Sequence, residues 1–166
     1  MKQEKNRRTL ERFLPMQVRA VEEGEDNRVF ELSFSSEEPY MRWFGPEILD
    51  HSGEACDLSR LQELGVVLFN HDRNAVLGKI TRTWIEDNRG KAEIAFDDDE
   101  FAETIRKKVA GGTLRGVSVG YRVDSWEEVT AGDTSADGRF TGPCSIARRW
   151  LPYDCLLYTS DAADDK

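Results

Sequence analysis

Apolar positions along this chain alternate with polar ones over short stretches more often than they recur at helical spacing. Residues 16–22 (MQVRAVE) and 28–35 (RVFELSFS) carry the strand pattern on either side of the turn signal Glu23-Gly24-Glu25-Asp26-Asn27, with Phe30, Leu32 and Phe34 alternating onto one buried face. Glu37 to Cys56, rich in Pro, Gly, Trp and acid, reads as a long ordered loop. Residues 57–64 predict a short helix capped by Asp57 or Ser59, striped by Leu58, Leu61 and Leu64, and ended by Gly65. An apolar run, Val66 to Phe69, leads into Asn70-His71-Asp72, and a hairpin with strands near 75–85 and 91–96 follows. Ala92, Ile94 and Phe96 face inward in that hairpin. Acidic residues from Asp97 to Glu100 open a helix over about 98–110, striped by Phe101, Ile105 and Val109 and stopped by Gly111-Gly112. Residues 113–123 return to strand, and 130–142 have the composition of a flexible loop. The class is α+β and mainly β: a small barrel or curled antiparallel sheet with two inserted helices.

A length of 166 residues suits one domain, and 39% hydrophobic with 10% aromatic content fits a globular chain. The net charge of −9 argues against nucleic-acid or anionic-membrane partners, which require a basic face. Residues 1–12, an N-terminal arm with five basic and two acidic side chains, run against this balance with a local excess of positive charge. No apolar run approaches the roughly 18 residues of a membrane span. Cys56, Cys144 and Cys155 form no C-x-x-C pair, and their odd number points to packing thiols in a reducing cytoplasm. The last segment, 155–166 (CLLYTSDAADDK), breaks the character of what precedes it and resembles translated read-through of a transposase-type sequencing adapter. The expected organisation is therefore an arm over 1–12, a domain over 13–154 that is incomplete at its C-terminus, and a foreign tail.

The chemistry concentrates in Gly116-Val117-Ser118-Val119-Gly120-Tyr121-Arg122-Val123. In a strand, Val117, Val119, Tyr121 and Val123 point to one face and Ser118 to the other, flanked by Gly116 and Gly120, which clear space for a carbonyl to approach. The same residues spell G-x-S-x-G, but a nucleophile elbow requires a strand–turn–helix context and a histidine after the serine. Here the alternation runs straight through, and the only histidines, His51 and His71, come first. His71, at the end of an apolar run, is the candidate base for Ser118, because imidazole titrates near neutral pH. His51, in the polar turn Leu49-Asp50-His51-Ser52-Gly53, is assigned a structural or solvated role. No zinc spacing, calcium loop or phosphate-cradling glycine loop is present, so no metal or cofactor is expected.

The succession of Asn70-His71-Asp72, Gly78-Lys79-Ile80, a helix, and Gly112-Thr113-Leu114-Arg115-Gly116-Val117-Ser118-Val119-Gly120-Tyr121 resembles the prohead maturation proteases of tailed phages, relatives of the herpesvirus assemblin. Phe34 to Pro39 and Glu47 to Ser52 resemble further segments of that family, so the likeness runs over about residues 13–154. It implies an assemblin-like β-barrel and a serine endopeptidase acting inside the prohead in the host cytoplasm. Its partners would be scaffold and capsid proteins, with self-cleavage and homo-oligomers within its range. By position His71 matches the catalytic histidine and Ser118 the nucleophile. Asp154, after Trp150-Leu151-Pro152-Tyr153, stands where family members carry a glutamate and is the candidate for orienting His71. Backbone N–H groups of the Ser118 strand, or Arg148 or Arg149, are the candidate oxyanion donors. Two other readings remain: a catalytically inactive scaffold-like capsid-assembly domain, and a peptide-binding β-domain.

Overall fold

A computed structural model describes residues 9–15, 17–21, 27–70, 72–114 and 116–158. Its strands are β1 (Thr9–Pro15), β2 (Gln17–Ala20), β3 (Val29–Ser35), β4 (Tyr40–Arg42), β5 (Gly45–Leu49), β6 (Val66–Phe69), β7 (Asp72–Glu86), β8 (Arg89–Phe96), β9 (Gly116–Val129) and β10 (Cys144–Tyr158). Two helices, α1 (Ser59–Leu64) and α2 (Glu100–Ala110), interrupt them. All ten strands join one sheet in the order β1-β9-β10-β6-β7-β8-β3-β2, with β5 pairing on β10 and β4 on β5. The predicted mainly β architecture with two inserted helices is the one observed.

The ends of this path, β1 and β2, are separated in the chain by residue 16 alone. Consecutive Cα atoms lie about 3.8 Å apart, so the sheet must curl until its two edges approach, giving a half-barrel. Its concave face holds the core: Phe30, Leu32 and Phe34 from β3, Ala92, Ile94 and Phe96 from β8, and Val117, Val119, Tyr121 and Val123 from β9, all buried. These are the strand positions that the alternation assigned inward.

The sheet is antiparallel except along one side of β10, where β5 and β6 pair with it in parallel. The segment expected to be a loop over 37–56 contains the β4–β5 hairpin. Its alternation is hidden because a charged residue, Glu47, takes a fully buried position. Both helices depart in part from their predicted stripes. On α1, Leu61 is buried but Leu64 is 70% exposed. The cap is Leu58 without a side-chain bond, while Asp57 Oδ1 accepts the Ser59 N–H at 3.0 Å. On α2, Ala102 and not Phe101 joins Ile105 and Val109 in the core, and Phe101 packs edge-on against Phe69 at 5.7 Å. The reason is Arg106, which lies on the buried face and is held by Glu103 Oε2 (3.1 Å) and Asn27 O (3.1 Å). Residues 130–142 form compact turns closed by a bridge between Thr134 and Thr141 rather than an open loop.

Residues 1–8 of the expected arm and 159–166 of the expected tail lie outside the described residues. Arg12 is buried within β1, and Cys155 to Tyr158 complete β10, buried between β9 and β6.

Candidate functional site

Residues 116–120 are strand throughout, as the unbroken alternation requires. Ser118 therefore points to the convex face, away from the valine and tyrosine row. Its cross-strand neighbours are Phe13 on β1 and Leu156 on β10, and Leu156 in turn faces Leu68 on β6. Strands lie roughly 4.8 Å apart, so Ser118 sits about 10 Å from β6. His71 lies outside the described residues. The residue before it, Asn70, leaves β6 with φ 53° and donates its backbone N–H to Leu157 O at 2.7 Å.

Asp154 shares the Ser118 face. It pairs with Gly120 after a bulge at Pro152/Asp154, and a Cβ at Gly120 would lie 3.1 Å from its Oδ1. The other carboxylate oxygen is 3.7 Å from Arg73 Nη1, so Asp154 reaches the chain just past residue 71. The two glycines do clear space, but side chains refill it. A Cβ at Gly116 would fall 2.3 Å from the Tyr158 ring, which meets the Phe13 ring edge-on at 5.0 Å. Ser118 is consequently 0% exposed, and its Oγ has no hydrogen-bond partner among the described residues. The open approach expected from the glycine spacing is closed here by residues far away in sequence. A buried hydroxyl without a partner costs about 1–3 kcal/mol, and such an orphan calls for a role beyond stability.

Arg148 and Arg149 are not brought to this site. Arg149 is seven residues from Leu156 along β10, about 23 Å. Arg148 is consumed by acids: its guanidinium bonds Glu127 Oε1 (2.8 Å), Asp50 Oδ2 (3.0 Å) and Asp137 Oδ2 (3.0 Å). That leaves backbone N–H groups as the oxyanion candidates.

The structure also joins a serine and a histidine that the sequence did not pair. Ser35 Oγ lies 2.7 Å from His51 Nε2, and His51 Nδ1 lies 2.9 Å from Leu49 O. A carbonyl only accepts, so Nδ1 carries the proton and Ser35 donates its O–H to Nε2. Ser35 Oγ also accepts the Gly90 N–H at 3.1 Å. Both side chains are sealed, at 0% and 3% exposure, with His51 edge-on to Trp150. This is a clip joining β3, β8 and the end of β5, in keeping with the structural role assigned to His51. Its signal lay in the two segments, 34–39 and 47–52, that resemble family segments.

Burial pushes His51 down to about 4 from its usual 6.5, aided by the Arg12 and Arg139 charges and opposed by the bond to Leu49 O. Between those values the unfolded chain binds a proton that the folded chain refuses. Stability should therefore fall as pH drops from 6.5 toward 4, by about 2–3 kcal/mol. The urea midpoint measured from pH 7 to 4.5 checks this. His51→Gln should flatten the profile, and an equal slope in that variant refutes it.

A second buried cluster was not legible in the sequence. Glu47 Oε1 accepts from Arg12 Nε (3.0 Å), Arg42 Nε (3.3 Å) and Tyr121 Oη (2.5 Å), while Glu47 Oε2 has no partner among the described residues. Burial and the Glu47 charge push the Tyr121 phenol upward, so it remains a donor.

Residues 15–140 match the family described as caudovirus prohead serine protease. The chain belongs to that family. The match includes Ser118 and His71 and ends before Asp154. The chain is also 38% identical over 94 residues to a protein named "Major capsid protein" from Halomonas phage phiHAP-1; the alignment covers 54% of this chain and 16% of that relative. The chain thus spans a small part of the relative's length. No solved structure gives a significant match.

Proposed function

We propose that this chain is the serine endopeptidase domain of a phage capsid-maturation system, with Ser118 as nucleophile, His71 as general base and Asp154 orienting the histidine. The observation that carries this is the buried Ser118 Oγ, without a partner among the described residues and set between two glycines on the face that also holds Asp154. Membership of the prohead protease family supports it, as does likeness to a phage major capsid protein.

Ser118 attacks a peptide carbonyl while its proton passes to His71. The imidazolium then protonates the leaving amine, and water repeats the sequence on the acyl ester. Backbone N–H groups on the Ser118 strand stabilise the oxyanion. The substrates are scaffold and capsid-protein extensions, and the chain itself, within the prohead.

A second reading, a non-catalytic capsid-assembly domain, is favoured by one observation: Ser118 has no exposed surface in this arrangement. A serine-directed acylating probe separates the two. The protease reading expects a modification at Ser118 that disappears in His71→Ala. No modification of the folded chain, or modification indifferent to His71, favours the assembly domain.

A further inference from the structure

What seals Ser118 on its open side is β1, an end strand of the sheet path. It lies antiparallel to β9 in unbroken register from Thr9 opposite Arg122 to Pro15 opposite Gly116, with Phe13 directly opposite Ser118. An extended peptide adding to a sheet edge gains affinity from main-chain bonds and specificity from alternate side chains.

The alternate side chains of β1 are received in this way. Leu10 and Arg12 turn inward and are 6% and 4% exposed. Arg12 enters a receptor that β1 does not build. Its guanidinium bonds Glu47 Oε1 at 3.0 Å, Glu47 O at 2.6 Å and Glu38 O at 3.1 Å, and lies 5.2 Å from the centre of the Tyr40 ring. Arg42 grips the β1 backbone at Glu11 O and remains a counter-charge for Glu47 when Arg12 is absent. The buried Glu47 Oε2, which no described residue satisfies, leaves further acceptor capacity in the receptor. The receptor residues lie inside the stretch shared with the family, whereas the matched region begins only at the last residue of β1.

We infer that the outer edge of β9 is a peptide-binding edge, selective for an extended segment with arginine one residue before the position facing Ser118, and that β1 occupies this edge in cis. The part of the inference that makes β1 a lid on catalysis rests on the nucleophile reading of Ser118; the binding edge itself does not.

The test uses the full chain carrying Ser118→Ala, so that nothing is cleaved, and hydrogen–deuterium exchange read by mass. The probe is an acetylated and amidated peptide of sequence Leu-Glu-Arg-Phe-Leu, matching residues 10–14. It is added at millimolar concentration, because a tethered strand competes at an effective concentration of that order. Displacement should raise exchange of the amides of residues 10–13 at least tenfold while those of β10 stay protected. The same peptide with glutamate in place of arginine should leave exchange unchanged. The inference is overturned if neither peptide alters β1, if both act equally, or if β1 exchanges only with global unfolding. Displacement by the arginine peptide together with an unlabelled Ser118 in the wild-type chain would keep the edge and remove the protease reading. Labelling of Ser118 with an undisplaceable β1 would do the reverse.

Discussion

Ser118→Ala is expected to lower self-processing and scaffold cleavage by about 10³-fold or more, while the urea midpoint of the chain stays constant or rises. Loss of a nucleophile removes the bond-forming atom, so no other group on the convex face replaces it. The stability side of the prediction comes from the environment. The hydroxyl is fully buried and makes no hydrogen bond to any described residue, so replacing it by hydrogen relieves a desolvated polar group at the cost of a very small void. A serine kept for structure behaves in the opposite way. Ser35 bonds both His51 and the Gly90 N–H, and Ser35→Ala should cost about 2 kcal/mol or more. Comparing the two variants by cleavage assay and urea titration separates the roles. Unchanged processing in Ser118→Ala removes the nucleophile assignment.

Glu47→Ala is expected to destabilise the chain by about 3–5 kcal/mol, because it removes an anion set between two guanidiniums and leaves the buried Arg12 charge without its carboxylate. Urea slopes for domains of this size are of the order of 1–3 kcal/mol per molar, so the midpoint should fall by about 2 M. Glu47→Gln keeps an acceptor for Tyr121 and both arginines and should lose clearly less. Equal losses in the two variants would mean that shape, rather than charge, holds the cluster. The effect should spread beyond Glu47 itself, since the cluster ties β1 through Arg12, β4 through Arg42 and β9 through Tyr121 to β5.

Much of the fold was legible before any coordinates. The inward rows on β3, β8 and β9 follow from alternation, and α2 from its acidic start and paired glycine stop; its N-cap, Asp99, accepts the Ala102 N–H at 3.1 Å. The misses share a cause. Glu47, Arg106 and Arg12 are charged side chains at buried positions, and periodicity scores such residues as solvent-facing. Their burial is tolerated only because partners from distant segments meet them. The candidate site was legible in the same partial way. Ser118 and Asp154 do share a face, whereas Arg148 and Arg149 do not reach it, because the length of β10 separates them from Ser118.

Local sequence alone determined the hairpin strands β2, β3, β7 and β8 and the first half of β9, the inward apolar rows on β3, β8 and β9, and that Ser118 stands between two positions without side chains. Those properties depend on neighbours within a few residues, where the two-residue period of a strand operates. Tertiary structure alone decided that β1 and β2, one residue apart, lie at opposite ends of the strand path, that Phe13 and Tyr158 fill the space cleared by Gly116, and that Glu47 is enclosed by arginines. Strand order and register are set by contacts between residues far apart in the chain, and a period-two pattern is equally satisfied by any neighbour that buries the same face.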